Sequence, residues 1–68
     1  MKLSARNVLK GRVTSITRGA TTAHVKIDVN GMIVTASITN EAVEQLNLRE
    51  GETAYAIIKA SDVMVGKD

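Results

Sequence analysis

The chain contains no cysteine, proline, tryptophan or phenylalanine, and its one aromatic ring is Tyr55. Without cysteine there is neither a disulfide framework nor a thiolate metal site, so two common staples of small domains are excluded. A lone histidine, His24, cannot build a histidine-based zinc site. No apolar run approaches the ~20 residues of a membrane span, and the opening segment MKLSARNVLKGR lacks the apolar stretch of a secretory signal; a soluble cytoplasmic protein with no membrane partner is expected. Charge of one sign is also lacking. Nine Lys or Arg stand against seven Asp or Glu, and they are scattered, so there is no polybasic tail to grip nucleic acid or a lipid surface.

What is present is a 68-residue chain, 44% hydrophobic, whose apolar side chains are almost all Val, Ile, Leu, Ala and Met. A chain of this size buries only ~60% of the surface its unfolded form exposes. Scaffolds below ~70 to 80 residues usually need a disulfide, a metal or partner copies. With the first two unavailable, self-association is the first functional expectation.

The glycines fall singly at 11, 19, 31, 51 and 66, as punctuation within one domain spanning residues 1–68. Val8 to Thr17 reads as a strand whose alternation slips between Val13 and Ile16, which implies a bulge or bend, placed near Gly11. After the turn Arg18-Gly19-Ala20, Thr21 to Val29 alternates cleanly, with Thr21, Ala23, Val25, Ile27 and Val29 on the core side. Asn30-Gly31 joins it to Met32–Thr39 as a hairpin, since this dipeptide supplies the positive φ values of a tight turn. Thr39 or Asn40 then caps a helix of about two turns, with Glu41 in its first turn and Val43 and Leu46 spaced to bury one face. Thr53 to Ala60 follows as a strand with two apolar faces, and Val63-Met64-Val65 as a short last strand. This order predicts an all-β fold, a small five-stranded OB-like barrel with one short helix between the third and fourth strands. Two apolar faces on one strand call for a cover from outside the barrel, and another subunit supplies it.

Catalysis finds no constellation here. His24 sits on the polar face of a strand without a nucleophile or acid arranged beside it, the carboxylates are dispersed, and no glycine-rich phosphate loop exists. OB barrels often bind single-stranded nucleic acid through aromatic platforms in a basic groove. That alternative remains open but lacks its platforms, because Tyr55 is alone. The distinctive feature is three segments rich in hydroxyls, amides and isolated cations: Ser4-Ala5-Arg6-Asn7, Ser37-Ile38-Thr39-Asn40 and Lys59-Ala60-Ser61-Asp62. Backbone N–H groups and hydroxyls suit a fully ionised oxyanion, and Thr39 presents one at a helix start. The same residues also read as an ordinary helix cap and terminal polar residues.

The run from Met1 to Gly11, with SARN at residues 4–7, then Ser37-Ile38-Thr39, Val43-x-x-Leu46-x-Leu48-x-x-Gly51 and Ala56-Ile57-Ile58-Lys59-Ala60-Ser61-Asp62-Val63-Met64, resembles the molbindin or Mop family. The same module occurs in the molybdate-responsive regulator and the molybdate transporter ATPase subunit. The resemblance covers essentially the whole chain. It implies a cytoplasmic protein binding molybdate or tungstate for molybdenum storage or homeostasis, assembled as a hexamer, a trimer of dimers, with ligands between subunits. Carried over by motif, Ser4 and Thr39 would donate hydroxyls, Arg6 and Ala60 backbone N–H groups, and Lys59 both its backbone N–H and its ammonium. Where some relatives carry Ser, this chain has Ala42, which removes a possible donor. The resemblance also implies a second kind of anion site, which in this chain is expected at the turn Arg18, Gly19, Ala20.

Overall fold

Period-2 patterning and one tight hairpin organise the chain. The computed structural model describes Met1 to Asp68. Its elements are β1 (Asn7–Arg18), β2 (Thr22–Val29), β3 (Met32–Thr39), α1 (Asn40–Gln45), β4 (Thr53–Ile58) and a 3-10 turn at Ala60–Asp62. The strands form one antiparallel sheet in the order β3-β2-β1-β4. At the hairpin Val29 pairs with Met32. Asn30 and Gly31 take φ of 51° and 91°, the left-handed values that the dipeptide was chosen to supply.

Thr14 sets the curl of the sheet. β1 pairs Val13 with Ile27 and then Ser15 with Lys26, so Thr14 is the extra residue of a bulge. Its hydroxyl donates to the Lys26 carbonyl at 3.3 Å. This insertion returns Ile16 to the face of Leu9 and Val13, which is the physical origin of the slipped alternation. The bulge lies three residues beyond the predicted position at Gly11. Gly11 serves another purpose: a Cβ there would meet the Asp28 carbonyl oxygen at 2.5 Å and Ile27 Cγ2 at 2.7 Å. It lets β1 and β2 approach closely at the hairpin end.

The core consists of Val13, Ala23, Val25, Ile27, Val43 and Ala56, with Leu9, Ile16, Val34, Ile38 and Leu48 packed around it. Helix α1 contributes Val43 alone. Leu46, expected on the same buried face, is 65% exposed, because the helix ends there: Asn47 turns left-handed at φ 52°, and Asn47 N–H and Leu48 N–H bond back to Glu44 and Val43 carbonyls. The expected fifth strand is not formed. Val63, Met64 and Val65 are exposed and join no ladder, so the sheet has four strands and stays an open, unclosed barrel. An apolar cleft of about 570 Å³ lies open between the two sheet edges, lined from β3 by Val34, Ala36 and Ile38 and from β4 by Ala54, Ala56 and Ile58. No helix is long and apolar enough to cross a membrane.

The two glycines of the hairpin end make separable predictions. Gly11→Ala forces a Cβ into backbone and should cost about 3 kcal/mol, the upper end of ordinary overpacking. Gly31→Ala meets nothing within 4 Å and should cost about 1 kcal/mol for its left-handed φ alone. Thermal melts at one fixed protein concentration check this; Gly11→Ala melting no lower than Gly31→Ala would contradict the close-approach reading.

Candidate functional site

The five positions singled out from the sequence fall in three places along the chain. Ser4 and Arg6 occupy the bent segment before β1, Lys59 and Ala60 follow β4, and Thr39 ends β3. Asn7 lies opposite Ile58 in the β1–β4 ladder, so Arg6, one residue before Asn7, stands beside Lys59, one residue after Ile58. The Asn7 side-chain amide donates to the Ile58 carbonyl at 3.2 Å and braces that end. Four of the five positions therefore gather where β1 begins and β4 stops.

The local chemistry there is that of uncommitted donors. Lys59 is extended, at φ −64° and ψ 138°, and stands at the N-cap of the 3-10 turn without a side-chain capping bond. Its carbonyl accepts from Asp62 N–H at 2.9 Å, and the Ala60 carbonyl from Val63 N–H at 3.3 Å. The N–H groups of Arg6, Lys59 and Ala60 enter none of the turn, loop and cap hydrogen bonds. The side chains of Ser4, Arg6 and Lys59 are exposed, and the one ion pair of the chain lies elsewhere, between Arg18 and Glu44. Hydroxyl, ammonium and backbone N–H are the donor types that charge-assisted hydrogen bonds to an anion require. Asp62 closes the same turn, and its exposed carboxylate is screened by solvent.

Thr39 is the remaining member of the predicted set. It is the N-cap of α1, and its Oγ1 accepts from Ala42 N–H at 3.0 Å. A hydroxyl that accepts one bond still has its own proton to donate. Thr39 pairs with Thr22, and the next residue, Ala23, pairs with Arg18 at the far end of β1. One chain thus brings Ser4, Arg6, Lys59 and Ala60 together and holds Thr39 at the opposite end of the same strand.

The turn Arg18-Gly19-Ala20 is largely committed. Gly19 N–H donates to Thr22 carbonyl at 2.7 Å, the Gly19 carbonyl accepts from the Asn40 side-chain amide at 3.0 Å, and Arg18 lies 3.5 Å from Glu44. Ala20 retains an N–H outside the turn and cap bonds. Two concavities mark the surface, and neither contains the predicted donors. One is the apolar cleft; the other, about 350 Å³, is polar and sits at the hairpin end among Lys10, Arg12, Asp28 and Asn30. No three His, Asp or Glu side chains converge as a cation cage. Sequence reasoning missed the role of Asn40, whose signal was slight: an amide directly after a threonine cap.

The TOBE domain family matches residues 3–65. A probable molybdenum-pterin-binding protein of Haemophilus influenzae is 52% identical over 67 residues, covering 97% of each chain. Among solved structures, a molybdate binding protein from Sporomusa ovata superposes with a TM-score of 0.94 at 36% identity, covering 98% of this chain and all of that one. The cytoplasmic molybdate-binding protein ModG, solved with molybdate bound, gives a TM-score of 0.89 at 45% identity; the match takes 94% of this chain but 46% of that one. With a domain match running nearly end to end and a relative this similar over its full length, the chain belongs to the TOBE domain family, among its molybdenum-pterin-binding, or Mop, members.

Proposed function

We propose that this chain is a cytoplasmic, non-enzymatic molybdate- and tungstate-binding protein that stores or buffers the oxyanion at sites completed between copies of itself. The observation that carries the reading is the gathering of free donors at Ser4, Arg6, Lys59 and Ala60, with Thr39 held away at the other end of β1. A tetrahedral dianion needs donors from several sides, and one chain offers them as two half-sets. A second copy, turned so that its Thr39 meets the first copy's Lys59, supplies the missing half. The binding is then reversible, because it consists of hydrogen bonds and one ammonium without any covalent step. The related proteins carry names or bound ligands of the same chemistry.

Assembly has its own support. The cleft between β3 and β4 leaves apolar side chains and two strand edges without cover. Beyond β4 the chain carries an apolar run, Val63-Met64-Val65, that touches no core, with Met64 94% exposed. In the proposed oligomer, a hexamer built as a trimer of dimers, such uncovered surfaces are buried between copies. The ModG chain is about twice as long as the segment it shares with this one, which fits two such units acting together.

Three outcomes follow. Melting temperature should rise with molybdate or tungstate, by ~2.7 kcal/mol of added stability at a hundredfold excess over Kd, and hardly move with equal sulfate or with a single-stranded oligonucleotide. Equal shifts from molybdate and sulfate would reduce the site to a generic anion patch. By isothermal titration, Lys59→Ala should weaken molybdate about tenfold to a hundredfold, since a charge-assisted bond contributes ~1.5 to 3 kcal/mol, and Arg6→Ala should do less, because its main chain makes the contact.

Native mass spectrometry should show an oligomer at micromolar concentration, and Met64→Asp should shift it towards monomer. A wild-type chain that is monomeric and still binds molybdate would sink the shared-site reading.

Ala42 stands over the Thr39 hydroxyl through its N–H. Ala42→Ser adds a hydroxyl there and should tighten molybdate binding by roughly 0.5 to 1.5 kcal/mol, the net worth of one hydrogen bond. Weaker binding by this variant would move the ligand away from the start of α1.

A further inference from the structure

We propose that Asn40 is a positioning residue for the oxyanion site, holding the Thr39 hydroxyl in place by clamping the start of α1 to the turn after β1. The inference rests on the reading of Thr39 as a ligand donor. Helix α1 has six residues, too few to be rigid by propensity alone. Thr39 also lies at the end of β3, an edge strand with a neighbour on one side only. Its orientation therefore depends on whatever ties this corner down.

Two hydrogen bonds from one residue do so. Asn40 N–H donates to the Thr21 carbonyl at 2.9 Å, and its side-chain Nδ2 donates to the Gly19 carbonyl at 3.0 Å. Gly19 N–H in turn closes on the Thr22 carbonyl at 2.7 Å, and Thr22 is the ladder partner of Thr39. The circuit runs from Thr39 to Asn40, across to Gly19, and back through Thr22 to Thr39. The other tie between these segments, Arg18 to Glu44, is a 3.5 Å pair with both side chains well exposed, a kind that contributes little.

The amide is turned at a cost. Asn40 Oδ1 is buried without a partner, the one such side-chain atom in the chain. An orphaned buried acceptor costs about as much as a lost hydrogen bond, and an apolar side chain at this position would avoid the cost entirely. What an asparagine adds is the donor to Gly19. The clamp also joins Thr39 to the Arg18-Gly19-Ala20 turn, so the two places singled out from the sequence are mechanically one unit.

The test is a double-mutant cycle on molybdate Kd, by isothermal titration, with Thr39→Ala, Asn40→Ala and the pair. Asn40→Ala should weaken molybdate about two- to tenfold in the wild-type background and add almost nothing once Thr39→Ala is present. Asn40→Asp, which points a carboxylate at the Gly19 carbonyl in place of a donor, should weaken it at least as much. Val13→Ala, a buried side chain outside α1 and outside the cleft, serves as the structural control: it should lower the melting temperature by a comparable or greater amount with little change in Kd. Hydrogen exchange should show faster loss of protection at the Gly19 and Ala42 amides in Asn40→Ala. The proposal is overturned if Asn40→Ala leaves Kd unchanged while Thr39→Ala weakens it, or if its effect is equal in both backgrounds or no larger than that of Val13→Ala. A silent Thr39→Ala removes the ligand role of Thr39 and the positioning role with it, whereas intact binding by Asn40→Ala alone leaves the Thr39 reading standing.

Discussion

The fold depends on β1 serving two neighbours at once. Its twelve residues pair with β4 over the first half and with β2 over the second, overlapping at Arg12. That is possible only because the strand changes direction at Thr14 and approaches β2 closely at Gly11. The turn before β4 is stitched to the bulge itself: Val13 N–H donates to the Glu52 carbonyl at 2.9 Å, and Gly51 N–H to the Val13 carbonyl at 2.8 Å. Val13 is thus both the most deeply placed side chain of β1 and the residue whose backbone fastens the loop. Straighten this strand and the sheet loses its concave face, and with it the pocket that Val43 fills from α1.

A core of six side chains, none larger than isoleucine, is small for an independent domain. Each kilocalorie that a ligand or a partner contributes is then a large share of the whole. In such a molecule binding and folding are not separate properties. A ligand that binds only the folded, assembled chain stabilises that state by its own binding free energy.

Much of this was legible in the sequence, for reasons that differ by element. The hairpin was readable because only certain residues tolerate the φ values at positions 30 and 31, and the start of α1 because a threonine hydroxyl can satisfy Ala42 N–H. The slip in β1 was readable too, but its place was not: Gly11 attracts a bulge assignment, and the structure uses it for close approach instead, while Thr14 carries the insertion without any special residue type. Leu46 had the right spacing for burial, and spacing says nothing of a helix that stops one residue earlier. The run Val63-Met64-Val65 has the composition of a strand, but a strand exists only with a neighbour, and composition does not say whether that neighbour is in the same chain. For the site, the motif pointed to five residues and carried no information on their separation; the register of β1 with β2, β3 and β4 puts Thr39 at the end away from Lys59.

The pairing of Asn7 with Ile58 also bears on how the sheet closes. The two hairpins linking β1, β2 and β3 close over short loops, whereas the β1–β4 ladder joins residues 51 apart in sequence, and closing a longer loop costs more chain entropy. On loop-closure cost alone this ladder is the most expensive to zip, and its outermost rung is the one that sets Arg6 beside Lys59. The cluster of free donors therefore depends on the longest-range closure in the sheet. A three-stranded intermediate, however native its hairpins, holds Thr39 at the start of α1 but has not yet brought the Arg6 and Lys59 segments together.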